Sequence, residues 1–292
     1  MKKIPIVEML YDPGREDREF IEDRSFCNLS SGIFAAIDGF SAPYSYQNPP
    51  LLFNGLSGGE MVSDIVVSTL AWATPNSILK KLVIKINEAI KTEQANYGIR
   101  LDDAGSLAGA SAVIGKIGNN QIEIIQAGDC YAVWAFNDGQ IAFTKNKIYE
   151  TDLQARENFA YLMKKHQNNR LKAWIEHCPF LADLKRKTVN KEQRAILNGQ
   201  LEAASCWQEL NTPLQGLELL IVFTDGFIAA EQMADEKIMA KDVIDLYKAR
   251  GGAGAETGLK RILAATRAIQ RMNIQTSHEP YPEATAMAIS FE

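Results

Sequence analysis

The 292-residue chain predicts an α+β protein built from antiparallel sheets with helices packed outside them. Three observations predict it. Between residues 109 and 144, short apolar runs follow one another through tight turns, and strands joined that closely pair antiparallel. Residues 60–72 and 78–97 carry apolar side chains at helical spacing, one face each. Two further apolar runs, 33–37 and 219–224, lie far apart in the chain and each ends in Asp-Gly, at Asp38-Gly39 and Asp225-Gly226.

Taken in order, residues 11–24 are dense in charge (Asp12, Arg15 to Glu19, Glu22 to Arg24) and read as a solvated loop, part of which faces the end of the strand that follows. That strand, 33–37, meets a carboxylate at its mouth. A carboxylate there is costly unless hydrogen-bonded, paired or bound to a cation, and a neighbouring glycine lets the backbone turn and offer its carbonyl. Residues 41–59 form a long Pro/Gly/Asn/Ser-rich loop, of the kind that carries function in a compact domain. The first helix shows Met61/Val62, Ile65/Val66, Thr69 and Trp72 on one face. The second shows Ile78/Leu79, Leu82/Val83, Ile86 and Ala89/Ile90 with lysines opposite, and closes near Gly98. Runs at 110–117, 121–127, 130–136 and 141–144 read as a β-meander, with Asn137-Asp138-Gly139 a hairpin turn. The pattern turns helical at 150–180 and is polar and unassignable at 181–216. A strand at 217–224, helices at 236–250 and 256–271 around Gly251-Gly252, and a final strand at 285–291 complete the chain. No repeat or linker divides it, so residues 1–292 are expected to form a single domain, with the long loop at 41–59 and a helical insertion around 150–180.

Composition excludes several classes. Charges are interspersed and the net charge is −5, so no basic footprint for nucleic acid appears. No run approaches membrane-spanning length, and the N-terminal stretch lacks the apolar core of a signal peptide. Cys27, Cys130, Cys178 and Cys206 are scattered without a CxxC pair, which suits a reduced cytoplasm rather than a disulfide framework or a zinc site. A cytoplasmic protein without membrane or nucleic-acid partners is expected. The segment 109–117 has the wrong spacing for a phosphate-binding P-loop, and His166, His177 and His278 lie outside every motif and read as surface or structural. Cys130 reads as a small buried apolar residue.

An Asp-Gly alone reads as a turn. The two gain meaning from the stretches around them. Arg18-Glu19-Phe20-Ile21-Glu22-Asp23, Ala36-Ile37-Asp38-Gly39, Gly58-Gly59-Glu60-Met61-Val62-Ser63, Gly109-Ala110-Ser111-Ala112, Gly128-Asp129-Cys130-Tyr131, Phe223-Thr224-Asp225-Gly226 and Glu283-Ala284-Thr285 fall in one order. In that order they resemble the motifs of the metal-dependent serine/threonine protein phosphatases of type 2C. The resemblance runs from Arg18 to Thr285. It implies a four-layer α-β-β-α sandwich of two antiparallel sheets flanked by helices, with two Mg²⁺ or Mn²⁺ ions between the sheets at one edge and a weaker third. It further implies hydrolysis of phosphoserine and phosphothreonine on a phosphorylated protein substrate, through a metal-activated water. Carried over residue by residue, Asp38 is the bridging carboxylate and Gly39 a carbonyl ligand. Asp225 is a ligand, Glu22 acts directly or through water with Asp23 a second candidate, Asp129 belongs to the third ion, and Arg18 grips phosphate.

Two positions depart from the pattern. The family's closing metal Asp falls on Pro282, which has no donor side chain; Glu283 beside it is the candidate replacement, by its longer arm or by a one-residue slip. Phe40 stands where many members carry a histidine for the leaving group. The lost Asp supports an alternative, a phosphatase-like regulatory or binding protein with an impaired metal site. Neither the oligomeric state nor the substrate's identity is written in the sequence.

Overall fold

Period-two burial dictates the layers. In the strand Ile33–Phe40, Ile33, Ala35 and Ile37 pack with helix residues such as Val62, Val66, Val83 and Ile86, whereas Phe34 and Ala36 pack with Trp134, Leu220 and Val222 of another sheet. Such a strand is apolar on both faces because each face meets a different layer. The structure, a computed structural model, describes residues 5–15, 19–42, 51–249, 257–272 and 281–291.

The strands are β1 (Pro5–Asp12), β2 (Asp23–Asn28), β3 (Ile33–Phe40), β4 (Gly109–Ile117), β5 (Gln121–Ala127), β6 (Tyr131–Phe136), β7 (Ile141–Phe143), β8 (Gln208–Pro213), β9 (Leu217–Phe223) and β10 (Ala284–Phe291). They form two five-stranded sheets, β2-β3-β4-β5-β8 and β1-β10-β9-β6-β7, with every pairing antiparallel. Helices α1 (Gly58–Ala71) and α2 (Leu79–Asn96) cover the outer face of the first sheet. Helices α6 (Glu236–Lys248) and α7 (Gly258–Met272) cover the second. Between the sheets lies a third apolar layer that includes Phe34, Val113, Ile124, Trp134, Val222 and Met287. This is the α-β-β-α sandwich that the resemblance implies, and it has the antiparallel sheets with helices outside that the sequence pattern predicts.

Helices α3 (Tyr149–Lys165) and α4 (Arg170–Thr188) form an antiparallel hairpin with a small core of its own, Phe159, Leu162 and Ala173. The hairpin is fastened at its far end, where Arg186 grips Asp103 with two nitrogens at 2.8 and 3.1 Å. A four-residue helix, α5 (Ala203–Cys206), leads into β8.

Three expectations change. The four runs of 110–144 do not make one meander: β4 and β5 belong to the first sheet, whereas β6 and β7 belong to the second. At Gly128, φ is +82°, and the chain leaves one sheet and enters the other. Strands were missed at β1, β2 and β8, where charged or polar residues led to a loop reading or none. All three are sheet edges, so their side chains gain less burial and their alternation is weak. The first helix begins at Gly58, within the predicted loop 41–59, of which residues 43–50 lie outside the described residues.

Candidate active site

Both sheets end at one edge around a cavity of about 510 Å³, and most of the predicted site residues line it: Glu22, Asp38, Gly39, Asp129, Asp225 and Glu283. Arg18 lies outside the described residues. Asp38 stands near the end of β3, directly opposite Asp23 of β2 in the ladder and opposite Ser111 of β4 on its other side. Like charges facing each other across a strand pair repel. Burial pushes the Asp38 carboxyl well above the usual carboxylate range, and the charges of Asp23, Asp225, Asp129 and Glu22 push it further the same way.

Asp38-Gly39 lies within β3 and not in a turn, whereas Asp225-Gly226 opens a 3₁₀ turn in which the Phe227 N–H donates to the Thr224 carbonyl at 3.1 Å. Neither Gly39 nor Gly226 has the positive φ that favours glycine; close approach demands them instead. A Cβ on Gly39 would sit 2.4 Å from the carbonyl oxygen of Gly59 and 2.5 Å from Ser63 Oγ. One on Gly226 would sit 1.7 Å from the carbonyl oxygen of Glu283. Glycine at each place lets a neighbouring segment reach the carboxylate.

Glu22 is placed by the start of α1. Ser57 caps that helix, accepting from the Glu60 N–H at 3.0 Å, while Glu60 accepts from the Ser57 N–H at 3.0 Å. Glu60 also accepts from the Ile21 N–H at 2.9 Å, tying the chain before Glu22 to the helix. Ser57 and Ser41 hydroxyls donate to Glu22 Oε1 at 2.6 and 2.7 Å, and Ser63 donates to its carbonyl at 2.6 Å. Burial raises the Glu22 carboxyl, and the Ser57 and Ser41 hydrogen bonds oppose that rise.

Asp23 and Glu283 bridge the sheets. The Thr224 hydroxyl, at the end of β9, donates to buried Asp23 at 2.7 Å, and the Thr285 N–H donates to that hydroxyl at 2.9 Å. Glu283, buried at the start of β10, accepts from the backbone N–H groups of Glu22 and Asp23 at 2.9 Å each through Oε2. Tyr11 OH reaches its Oε1 at 3.2 Å. The Pro282 carbonyl accepts from Arg267 at 2.8 Å. Asp129 follows Gly128, whose Cβ, if present, would lie 2.1 Å from Ser111 Oγ.

The hairpin supplies residues that the sequence reading missed. Asp152, in the first turn of α3, lines the cavity, and its Oδ2 is buried with no hydrogen-bond partner among the described residues. Burial raises its carboxyl well above the usual range, Asp129 and Asp225 add to that, and Arg156 opposes it. Lys185 of α4 lines the opposite wall, with Nζ 4.0 Å from the centre of the Phe40 ring. Burial lowers its amine to about 8, against the pull of Glu22. An acid in a helix's first turn and a lysine near its last turn are the ordinary choices there, so neither residue announces itself in sequence. His177 is buried in the hairpin beside Phe159 and Phe180, and Cys130 is buried, so both take the structural roles expected of them. His278 lies outside the described residues.

Chemically, the wall is rich in oxygen donors carrying net negative charge, the environment that hard divalent cations neutralise. Asp38 hemmed in by four carboxylates and the orphaned Asp152 oxygen fit such ions. Among the described residues, no three Asp, Glu, His or Cys side chains converge to metal-ligand spacing. Glu22, Asp23 and Glu283 instead direct oxygens to hydroxyl and backbone donors. No described helix is long and apolar enough to cross a membrane.

No family model and no curated protein matches the chain. Solved structures do. The serine/threonine phosphatase Stp1 from Staphylococcus aureus is 14% identical, with 100% of this chain and 97% of that one covered and a TM-score of 0.58. PppA, described as a key regulatory component of T6SS in Pseudomonas aeruginosa, is 16% identical over 99% of this chain and 98% of its own, with a TM-score of 0.56. The catalytic domain of the serine/threonine protein phosphatase PstP, in complex with two manganese ions, is 14% identical over 98% and 97%, with a TM-score of 0.54. The chain shares their fold from end to end.

Proposed function

We propose that this protein is a cytoplasmic, metal-dependent phosphatase that hydrolyses phosphoserine and phosphothreonine on proteins. The observation that carries the reading is Asp38, held among four other carboxylates at the mouth between two sheets of the phosphatase fold. A protein has little use for such mutual repulsion unless cations relieve it. Asp38, the Gly39 carbonyl, Asp225 and Glu22 would hold two Mg²⁺ or Mn²⁺ ions, Asp129 a weaker third, and Glu283 would stand in for the closing Asp lost at Pro282. When bound, these ions supply Lewis-acid charge and activate water. The chain's own part is positioning. The Ser41 and Ser57 hydroxyls aim Glu22, the Thr224 hydroxyl aims Asp23, and Glu283 pins the backbone that carries both. Arg18 would take phosphate oxygens through its planar fork. Trp174 and Leu181 of the hairpin, with Ile196 beyond its end, give the cavity an apolar part of its wall.

The test is phosphate release from phosphothreonine and phosphotyrosine peptides with Mn²⁺ and with EDTA. Manganese-dependent turnover of the phosphothreonine peptide is expected, lost in Asp38→Asn and in Asp225→Asn. Equal rates with Mn²⁺ and EDTA would sink the proposal.

One observation favours a second reading, a phosphatase-like binding protein: both Glu283 oxygens already serve Tyr11 and the backbone of Glu22 and Asp23. On that reading, wild type binds at most one Mn²⁺ tightly in a calorimetric titration, and Pro282→Asp adds the second.

A further inference from the structure

The hairpin turns one helical face toward the cavity, through Trp174, Cys178, Leu181, Lys185 and Thr188 of α4. Their spacing is that of a single stripe. Lys185 is the one cation on it, and it faces a wall that is otherwise carboxylate-rich. Its ammonium lies 4.0 Å from the centre of the Phe40 ring, and it makes no hydrogen bond or ion pair among the described residues. Glu22, the acid whose charge acts on it, accepts from Ser41 and Ser57 instead. An ammonium carries three donors, and one that is half-buried on an aromatic face leaves them all without a protein acceptor.

A counter-ion for the acidic wall would be drawn into an ion pair with it. Lys185 instead stands off, with its donors open to the cavity. A dianionic phosphate monoester is the ligand whose oxygens complete such an arrangement, lying between cation-loaded carboxylates on one wall and an ammonium on the other. The Phe40 ring excludes water behind the ammonium, which strengthens its pull on an anion. We infer that Lys185 is a substrate-binding residue for the phosphate group, carried to the site by the α3–α4 hairpin and seated on Phe40. This rests on the phosphatase reading and adds to it a contact from the helical insertion.

The test uses the full chain with Mn²⁺ and compares wild type, Lys185→Met and Lys185→Arg. Binding of inorganic phosphate is measured by equilibrium dialysis, and turnover by hydrolysis of p-nitrophenyl phosphate. In Lys185→Met, phosphate affinity should fall, and KM rise, by about tenfold or more, with kcat less affected, because the contact is shared by ground and transition states. Lys185→Arg, which keeps the charge, should recover most of the affinity. The melting temperature in EDTA should stay at the wild-type value in both. Phosphate binding by Lys185→Met at wild-type affinity overturns the inference, and so does an equal loss in Lys185→Arg, which would mark packing rather than charge. The two readings fail separately. A wild type that binds phosphate through Lys185 but hydrolyses nothing defeats the phosphatase reading alone, and turnover indifferent to Lys185→Met defeats this one alone.

Discussion

Replacing Asp38 by Asn should make the metal-free protein more stable while abolishing the proposed hydrolysis. Asp38 and Asp23 are register partners in the β2–β3 ladder, and Asp225, Asp129 and Glu22 add charge of the same sign. Directly opposed residues in an antiparallel pair lie about 5 Å apart, where two unit charges at an effective dielectric constant near 20 repel by roughly 3 kcal/mol. Partial protonation relieves some of this, so a gain of about 2 kcal/mol remains for the isosteric amide. In a chain of this size that corresponds to a rise of about 5 °C in melting temperature. On the proposed metal-dependent reading the order should invert with Mn²⁺, because ions that bind only the folded state would stabilise wild type and would find an amide in place of the proposed bridging carboxylate in the variant. The assay is thermal unfolding of both proteins in EDTA and in millimolar Mn²⁺ at pH 8. A variant that melts below wild type in EDTA would show that the Asp38 carboxylate makes net favourable contacts, and the repulsion argument would be wrong.

Further outcomes follow from other parts of the site. Glu283→Ala leaves the part-buried Glu22 and the buried Asp23 N–H groups without their acceptor and should cost about 2–4 kcal/mol even without metal, read by urea unfolding. If Glu283 also stands in for the lost Asp, the same variant loses Mn²⁺ stoichiometry or affinity in calorimetry, and Pro282→Asp changes little. Asp103→Ala removes the acceptor for Arg186, Gly105 and Ser106 that ties the hairpin down, so amide exchange in α4 should accelerate and KM should rise, with the melting temperature little changed. Burial lowers His177 from its ordinary 6.5 to about 4. A base depressed in this way binds fewer protons folded than unfolded, so its stabilisation is full above about 6.5 and falls as pH drops toward about 4. Hydrogen exchange should therefore show α3 and α4 opening across that window, and His177→Phe should flatten the response.

The predicted elements that proved right are those with a strong burial signal. Helices α1, α2, α6 and α7 each bury one face on a sheet, and strands β3, β4, β9 and β10 are apolar nearly throughout, so their sequences carry the period directly. Asp38 and Asp225 stood out because a carboxylate closing an apolar run is expensive wherever it lies. The edge strands β1, β2 and β8 lack that signal, since half of their surroundings is solvent or a neighbour's rim.

By itself, then, the sequence determined the helices and strands that bury a strong apolar face, that the sheets are antiparallel, and which acids are out of place. It did not determine partners. Alternation tells which faces are buried but not which sheet buries them, and so β6 paired with β9 rather than continuing from β5. Only the tertiary structure set Asp23 opposite Asp38, turned Glu283 onto the backbone of Glu22 and Asp23, and carried Asp152 and Lys185 across from the hairpin. Those contacts join residues as many as 261 positions apart, and long-range proximity follows from how layers stack, which no local pattern of side chains encodes.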